Sequence, residues 1–206
     1  MQISIAKGLV ELKLLDKRIN RIINDSVLAG FTVGKKVQTG FANTEEIEKR
    51  AKSDYQSIND LIKRRNEIKS AIVVSNATTM VDVAGKSMTV AEAIERKSSI
   101  DYDKMLLNKL KQTYTSIVTH VDRVNDDVKN RLDKQLEILY GKEGKTKAVE
   151  NEELTKAFKE DNEAKFIDPI NLKDKIEKLQ AEIEDFEAEV DLILSESNAL
   201  TKITIP

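Results

Sequence analysis

Apolar residues recur at three- and four-residue steps along most of the chain, a pattern that predicts helices. From Ile3 to Leu28, the positions Ile5, Leu9, Leu12, Leu15, Ile19, Ile22 and Ile23 mark one helical face. Gly30, Gly34 and Gly40 then fall among Phe31, Val33, Val37 and Phe41. That run suits a small hairpin turning at Gly34-Lys35-Lys36, or an ordered loop. Thr44 followed by Glu45 and Glu46 reads as an N-cap with acids in the first turn. The predicted helix runs to Val74 with Ile47, Ala51, Tyr55, Ile58, Leu61, Ile62, Ile68 and Ile72 inward, and closes in Ser75-Asn76-Ala77-Thr78-Thr79.

Met80 to Met88 reads as a short hairpin, and Thr89-Val90-Ala91-Glu92 as a capping box that opens the next helix. That helix meets no glycine or proline before Gly141, with Ser98-Ser99 as its one candidate break. Leu106, Leu110, Ile117, Val121, Val124, Val128, Leu132 and Leu139 mark its stripe. At about 75 Å such a helix needs a partner along its length. Gly141 to Asn151 reads as a loop, and Glu152 to Phe166 as a short helix stopped by Asp168-Pro169. From Leu172 to Ser195, Leu172, Ile176, Leu179, Ile183, Phe186, Val190 and Ile193 fill heptad positions. Ile203 and Ile205 alternate as in a terminal strand.

Composition sharpens this reading. Seven glycines and two prolines in 206 residues leave few turns, while charged residues reach 34%. The expected fold is a single all-α domain over 1–206. Long antiparallel helical hairpins or a bundle with coiled-coil character carry short β-hairpin and strand additions at helix ends. Within it lie a glycine-bearing loop insertion at 29–43, an extended helix-loop-helix region at 113–165, and a heptad helix with terminal strand at 170–206.

The absence of cysteine excludes disulfides and thiolate zinc sites. No apolar run is long enough to cross a bilayer, and the N-terminus lacks signal-peptide order. A cytoplasmic setting is expected, and a net charge of -2 gives no reason to expect nucleic acid.

Two helix ends echo each other. Ser75-Asn76-Ala77-Thr78-Thr79 precedes Val81 and Val83, and Ser197-Asn198-Ala199-Leu200-Thr201 precedes Ile203 and Ile205. One reading makes both asparagines C-caps leading into two paired strands. The other brings the two sites together as a polar pocket.

On these residues the chain resembles the septicolysin-like family, small helical bacterial and phage proteins mostly of unknown function. The matching pattern is Asn76, Thr78 or Thr79, Gly85, Thr89, Glu92-Ala93 and Arg96, with Asn198 and Thr201 after the heptad helix. Ala199 replaces the family's usual aromatic residue, and Thr113–Ala164 and Gly30–Phe41 lengthen its plan. The family name suggests a toxin, but no apolar hairpin and no tryptophan are present, so pore formation and membrane binding are not expected.

Catalytic signals are weak. Ala84-Gly85-Lys86-Ser87 lacks the first glycine of a phosphate loop, because Met80 stands there. His120 is the lone histidine, on a helical stripe. The acidic runs Asp126-Asp127, Glu152-Glu153 and Glu182 to Glu189 contain no Glu-x-x-His pair and read as solvated faces. Metal, cofactor and enzymatic activity are not expected.

Lys63-Arg64-Arg65 and Arg96-Lys97 carry the cations suited to an anion, or they pair with Glu67, Glu92 and Glu95. The functional expectation is a non-enzymatic homo-oligomer, dimer or higher. It would hold a small anionic, nucleotide-like ligand through Arg64, Arg65, Asn76, Thr78, Thr79, Thr89, Arg96, Asn198 and Thr201. In a phage, sequestering a host immune signalling nucleotide is a natural use. The alternative is a ligand-free structural or assembly protein working through its coiled-coil helices.

Overall fold

A computed structural model describes residues 1–141 and 152–206, apart from the side chains of Glu152 and Leu154. Most of the predicted loop at Gly141–Asn151 lies outside the described residues. In chain order the elements are β1 (Gln2–Ser4), α1 (Ile5–Asp25), β2 (Thr32–Val33), β3 (Lys36–Val37), α2 (Thr44–Thr78), β4 (Met80–Val83), β5 (Lys86–Thr89), α3 (Val90–Tyr140), α4 (Glu152–Asn162), α5 (Leu172–Leu200) and β6 (Lys202–Thr204). The protein is all-α with small antiparallel strand pairs: β1 with β6, β2 with β3, and β4 with β5. No described helix is long and apolar enough to cross a membrane.

Two compact units divide the chain, Met1–Ser98 with Asp185–Pro206, and Ser99–Glu184. In the first, α1 and α2 run antiparallel. A Cβ built on Gly8, near the start of α1, would meet Ile68 and Ile72 late in α2. The Val27 N–H after α1 reaches Asp54 early in α2 at 3.0 Å. The buried positions of α1, Ile5, Gly8, Leu12, Leu15 and Ile19, repeat at alternating three- and four-residue steps. The apolar side chains among them make one core with Ile68 and Ile72 of α2, Ile3 of β1, Ile203 of β6 and Ile205 just after it. Each such side chain contributes about 1.5–3 kcal/mol by leaving water.

The first predicted helix therefore loses Ile3 and Ser4 to a strand. Ser4 caps α1 instead, its Oγ accepting the Lys7 N–H at 3.2 Å. Leu9 and Ile23 lie outside the buried stripe.

Helix α2 starts where expected, but Asn43 caps it rather than Thr44. Asn43 Oδ1 accepts the Glu46 N–H at 2.9 Å, and the Glu46 carboxylate takes the Ala42 N–H at 2.8 Å. Tyr55 turns outward. At the other end α2 runs through Asn76 to Thr78, and α5 runs through Asn198 to Leu200. Neither asparagine is a C-cap, since neither takes a left-handed φ. The strands that follow pair with β5 and β1, not with each other.

The β4–β5 hairpin turns at Ala84 and Gly85, with φ of 51° and 70°. Positive φ at both central residues is the type I′ turn, whose twist matches that of its strands. Gly34, with φ 58°, opens the β2–β3 turn, so the glycine-bearing stretch holds the hairpin alternative. Thr89 and Glu92 form the predicted capping box. The Glu92 N–H donates to Thr89 Oγ1 at 3.1 Å, and the Thr89 N–H donates to Glu92 Oε2 at 2.7 Å.

Helix α3 continues unbroken through Ser98-Ser99 into the second unit, since serine in a long polar-faced helix costs only about 0.5 kcal/mol. Its buried positions there are Ile100, Leu107, Val128, Leu132 and Leu136, while Leu106 and Leu139 are exposed. Asn125 clasps the Ala164 backbone in both directions, at 3.1 and 2.8 Å. Tyr114 meets Phe166 edge-on at 5.8 Å. Helix α4 ends at Asn162, short of Phe166. Asp168 holds the start of α5 through the Leu172 N–H at 2.8 Å.

Candidate functional site

The polar end of α2 is built by its own backbone closure. The Thr79 N–H donates to the Ser75 carbonyl at 2.8 Å, and Thr79 then turns extended into β4. Thr78 Oγ1 bonds back to the carbonyls of Val74 and Ser75 at 3.1 and 3.2 Å. Thr79 Oγ1 lies 3.4 Å from Ser75 Oγ. Asn76 sits between them, half-buried, and its Oδ1 is buried without a hydrogen-bond partner. A buried carbonyl oxygen left unmet costs about 1–3 kcal/mol.

The end of α5 repeats the form. The Thr201 N–H donates to the Ser197 carbonyl at 2.9 Å, and the buried Ser197 Oγ is also unmet. The sequence echo is thus an echo of backbone closure.

Beside the α2 end a groove of about 1040 Å³ runs between α2, from Asn59 to Ser75, and the chain segment from Lys202 to Pro206. Ile68 and Ile72 point into the core, so the adjoining face of α2 borders the groove. Asn66, Ser70 and Lys63 supply its polar positions, Val74 and Ile203 apolar ones, and Lys202 a second cation opposite. Asp60 and Glu67 balance the two lysines. Ser75 and Lys202, neighbours of Asn76 and Thr201, line the same groove.

The sequence-expected site residues fall into separate places. Asn76, Thr78, Thr79 and Thr89 gather at one end, where the Val90 N–H reaches the Thr79 carbonyl at 2.9 Å and Met80 pairs with Thr89. Asn198 and Thr201 stand at the end of α5. Arg64 points to α1, where its Nε donates to Glu11 at 3.1 Å, and its Nη1 to the Pro206 carbonyl at 3.4 Å. Arg65 pairs with Asp16 of α1. Arg96 lies over the Phe186 ring at 5.8 Å, and Lys97 pairs with Asp191. The carboxylate partners of Arg64 and Arg65 are therefore on α1, not Glu67, Glu92 or Glu95. Thr89 already serves the capping box.

Lys202 and Ser70 escaped the sequence reading. Asn59, Lys63, Asn66 and Ser70 at three- and four-residue steps are the signal that was available. Among the described residues no three His, Asp or Glu side chains form a metal-sized cluster. His120 is exposed, with Arg123 Nη2 at 3.2 Å from its Nδ1.

No family model and no curated protein matches the chain. It is similar to a crystal structure of a functionally unknown conserved protein from Corynebacterium diphtheriae, at 17% identity and a TM-score of 0.36, over 99% of this chain and 100% of that one.

Proposed function

We propose that the chain is a non-enzymatic helical protein that works as a homo-oligomer and holds a small anionic, nucleotide-like ligand at the polar end of α2. One observation carries the reading: the Oδ1 of Asn76 is buried and unmet, and Asn76 follows directly on Ser75, which lines the groove of about 1040 Å³. An acceptor kept without a partner costs stability, and a ligand N–H or O–H would satisfy it. Lys63 and Lys202 are the cations bordering the groove, and they replace Arg64 and Arg65 as phosphate partners. Sequestration of a signalling nucleotide, with the protein as a phage product, is the use this reading favours. A septicolysin-like relationship would accord with the polar bend.

Native mass spectrometry of protein from a gentle lysate tests it, together with thermal shift against a nucleotide panel. Expected are an added mass at each site and a stabilising nucleotide, both lost in Asn76→Ala. An apo mass and a flat panel would refute the ligand.

The second reading is a ligand-free assembly protein. Tyr102, Met105 and Leu106, at adjoining positions on α3, are 75, 67 and 51% exposed, and an apolar groove of about 440 Å³ lies between Leu106, Leu110, Ile170 and Leu179. Such a face favours burial against another helix.

A further inference from the structure

We propose that a second copy of this chain seats on the free edge of β6, pairing antiparallel with it across a two-fold axis, and that this copy walls the open side of the groove. The proposal rests on the homo-oligomer in the reading above and is independent of its ligand.

The β1–β6 ladder shows which groups are free. Met1 and Ile205 exchange both hydrogen bonds, at 2.6 and 2.8 Å, and the Ile5 N–H reaches the Thr201 carbonyl at 3.0 Å. In an antiparallel ladder bonded and non-bonded pairs alternate. Ile3 and Ile203 are therefore a bonded pair, while Gln2↔Thr204 and Ser4↔Lys202 are not. The N–H and C=O groups of Lys202 and Thr204 thus point away from β1. No hydrogen bond to either backbone is found among the described residues. Lys202 and Thr204 also line the groove, whereas no residue of β1 does. A second strand pairs about 4.8 Å from such an edge, and seated there it forms a wall of the groove on the β6 side.

The edge is complementary to itself. A two-fold axis through Ile203 sets Lys202 opposite the partner's Thr204, and Thr204 opposite the partner's Lys202. Each pair exchanges two backbone hydrogen bonds, and no like charges meet. Ile203 stays in its own core. Apolar surface beside the edge gains cover: Val74, which lines the groove, is 62% exposed, and Leu200, two residues before β6, is 79% exposed. The strand is three residues long and Pro206 follows it closely, features that oppose open-ended strand addition. A closed two-fold pair is the form that remains.

The test compares full-length wild type, Thr204→Pro and Thr204→Val by native mass spectrometry and light scattering across concentration. Proline deletes the outward N–H of Thr204 and leaves the Ile203 and Ile205 bonds to β1 in place, whereas valine keeps every backbone group. The expected result is a doubled mass for wild type and Thr204→Val. Thr204→Pro should show a single chain mass, with helical circular dichroism unchanged.

Amide hydrogen exchange on the wild type reads the same edge without substitution, and it decides the matter if Thr204→Pro fails to fold. Lys202 and Thr204 should be protected to the level of Ile203. A wild type of single mass at every concentration overturns the proposal. So does a Thr204→Pro that stays doubled, or unprotected Lys202 and Thr204 amides in a doubled species. A ligand-free dimer paired at β6 would uphold this interface and defeat the ligand, while a ligand-bearing single chain would do the reverse.

Discussion

The backbone N–H of Ala84 donates to the Glu189 carboxylate at 2.7 Å, tying the tip of the β4–β5 hairpin to α5 across 105 positions of sequence. Ala84 makes this contact from a left-handed φ of 51°. That conformation costs an L-residue with a Cβ about 1–2 kcal/mol, while asparagine before glycine adopts it readily. Ala84→Asn should therefore stabilise the protein by about 1 kcal/mol, because the bond to Glu189 uses only the backbone. Glu189→Ala should cost about 1 kcal/mol by removing the acceptor. Chemical denaturation of the two variants checks both signs. An Ala84→Asn midpoint below wild type would contradict the turn geometry.

Gly30 is fixed by space. A Cβ there would lie 2.8 and 2.9 Å from Cγ2 and Cδ1 of Ile47, which is buried. Gly30→Ala should cost about 1–3 kcal/mol through overpacking. Shortening the neighbour separates this from a backbone effect. Ile47→Val alone should cost about 0.5–1.5 kcal/mol, but in the Gly30→Ala background it should recover part of the loss. Additive effects in a double-mutant cycle would place the strain elsewhere.

Two carboxylates make stability depend on pH. The Thr89 N–H, then the Thr89 hydroxyl, holds the Glu92 carboxyl below its usual range. The Val27 N–H, then Arg50, does the same for Asp54. A carboxyl depressed in the folded state adds stability above its unfolded pKa, and that contribution disappears as pH falls through the folded pKa. Urea midpoints should therefore fall on acidification from neutral pH through and below the ordinary carboxylate range. Glu92→Gln and Asp54→Asn should each lower the neutral midpoint and flatten this acid slope. An unchanged slope in both variants would remove these groups from the account.

The helices were legible because a helix writes itself locally. Ile5, Leu12, Leu15 and Ile19 repeat at helical steps whatever they pack against, and Thr89 with Glu92 needs only four consecutive residues. The strand β1 was not legible. Gln2-Ile3-Ser4 is too short for alternation to outweigh the helical pattern that follows, and its partner Thr204 lies at the far end of the chain. The arginines failed for the same reason. Glu67 is near Arg64 and Arg65 in sequence, whereas Glu11 and Asp16 are brought to them only by the antiparallel packing of α1 on α2. Asn76 showed its polar character but not its place. A helix end can fall on either side of an asparagine, and here the Thr79 N–H carries the helix past it.

That placement reverses the sign expected for Asn76→Ala. An asparagine capping a helix end would cost about 1 kcal/mol on replacement by alanine. Inside the last turn, alanine is the better helix former by about 0.6 kcal/mol, and the change also removes the buried, unmet Oδ1. Asn76→Ala should therefore leave the ligand-free protein as stable as wild type or up to about 1 kcal/mol more stable. Under the binding reading the same variant loses nucleotide-induced stabilisation. A residue whose removal improves the fold and abolishes capture is one retained for function. Thermal unfolding with and without the nucleotide panel measures both quantities on one sample. A destabilised Asn76→Ala that still responds to ligand would assign Asn76 to the fold alone.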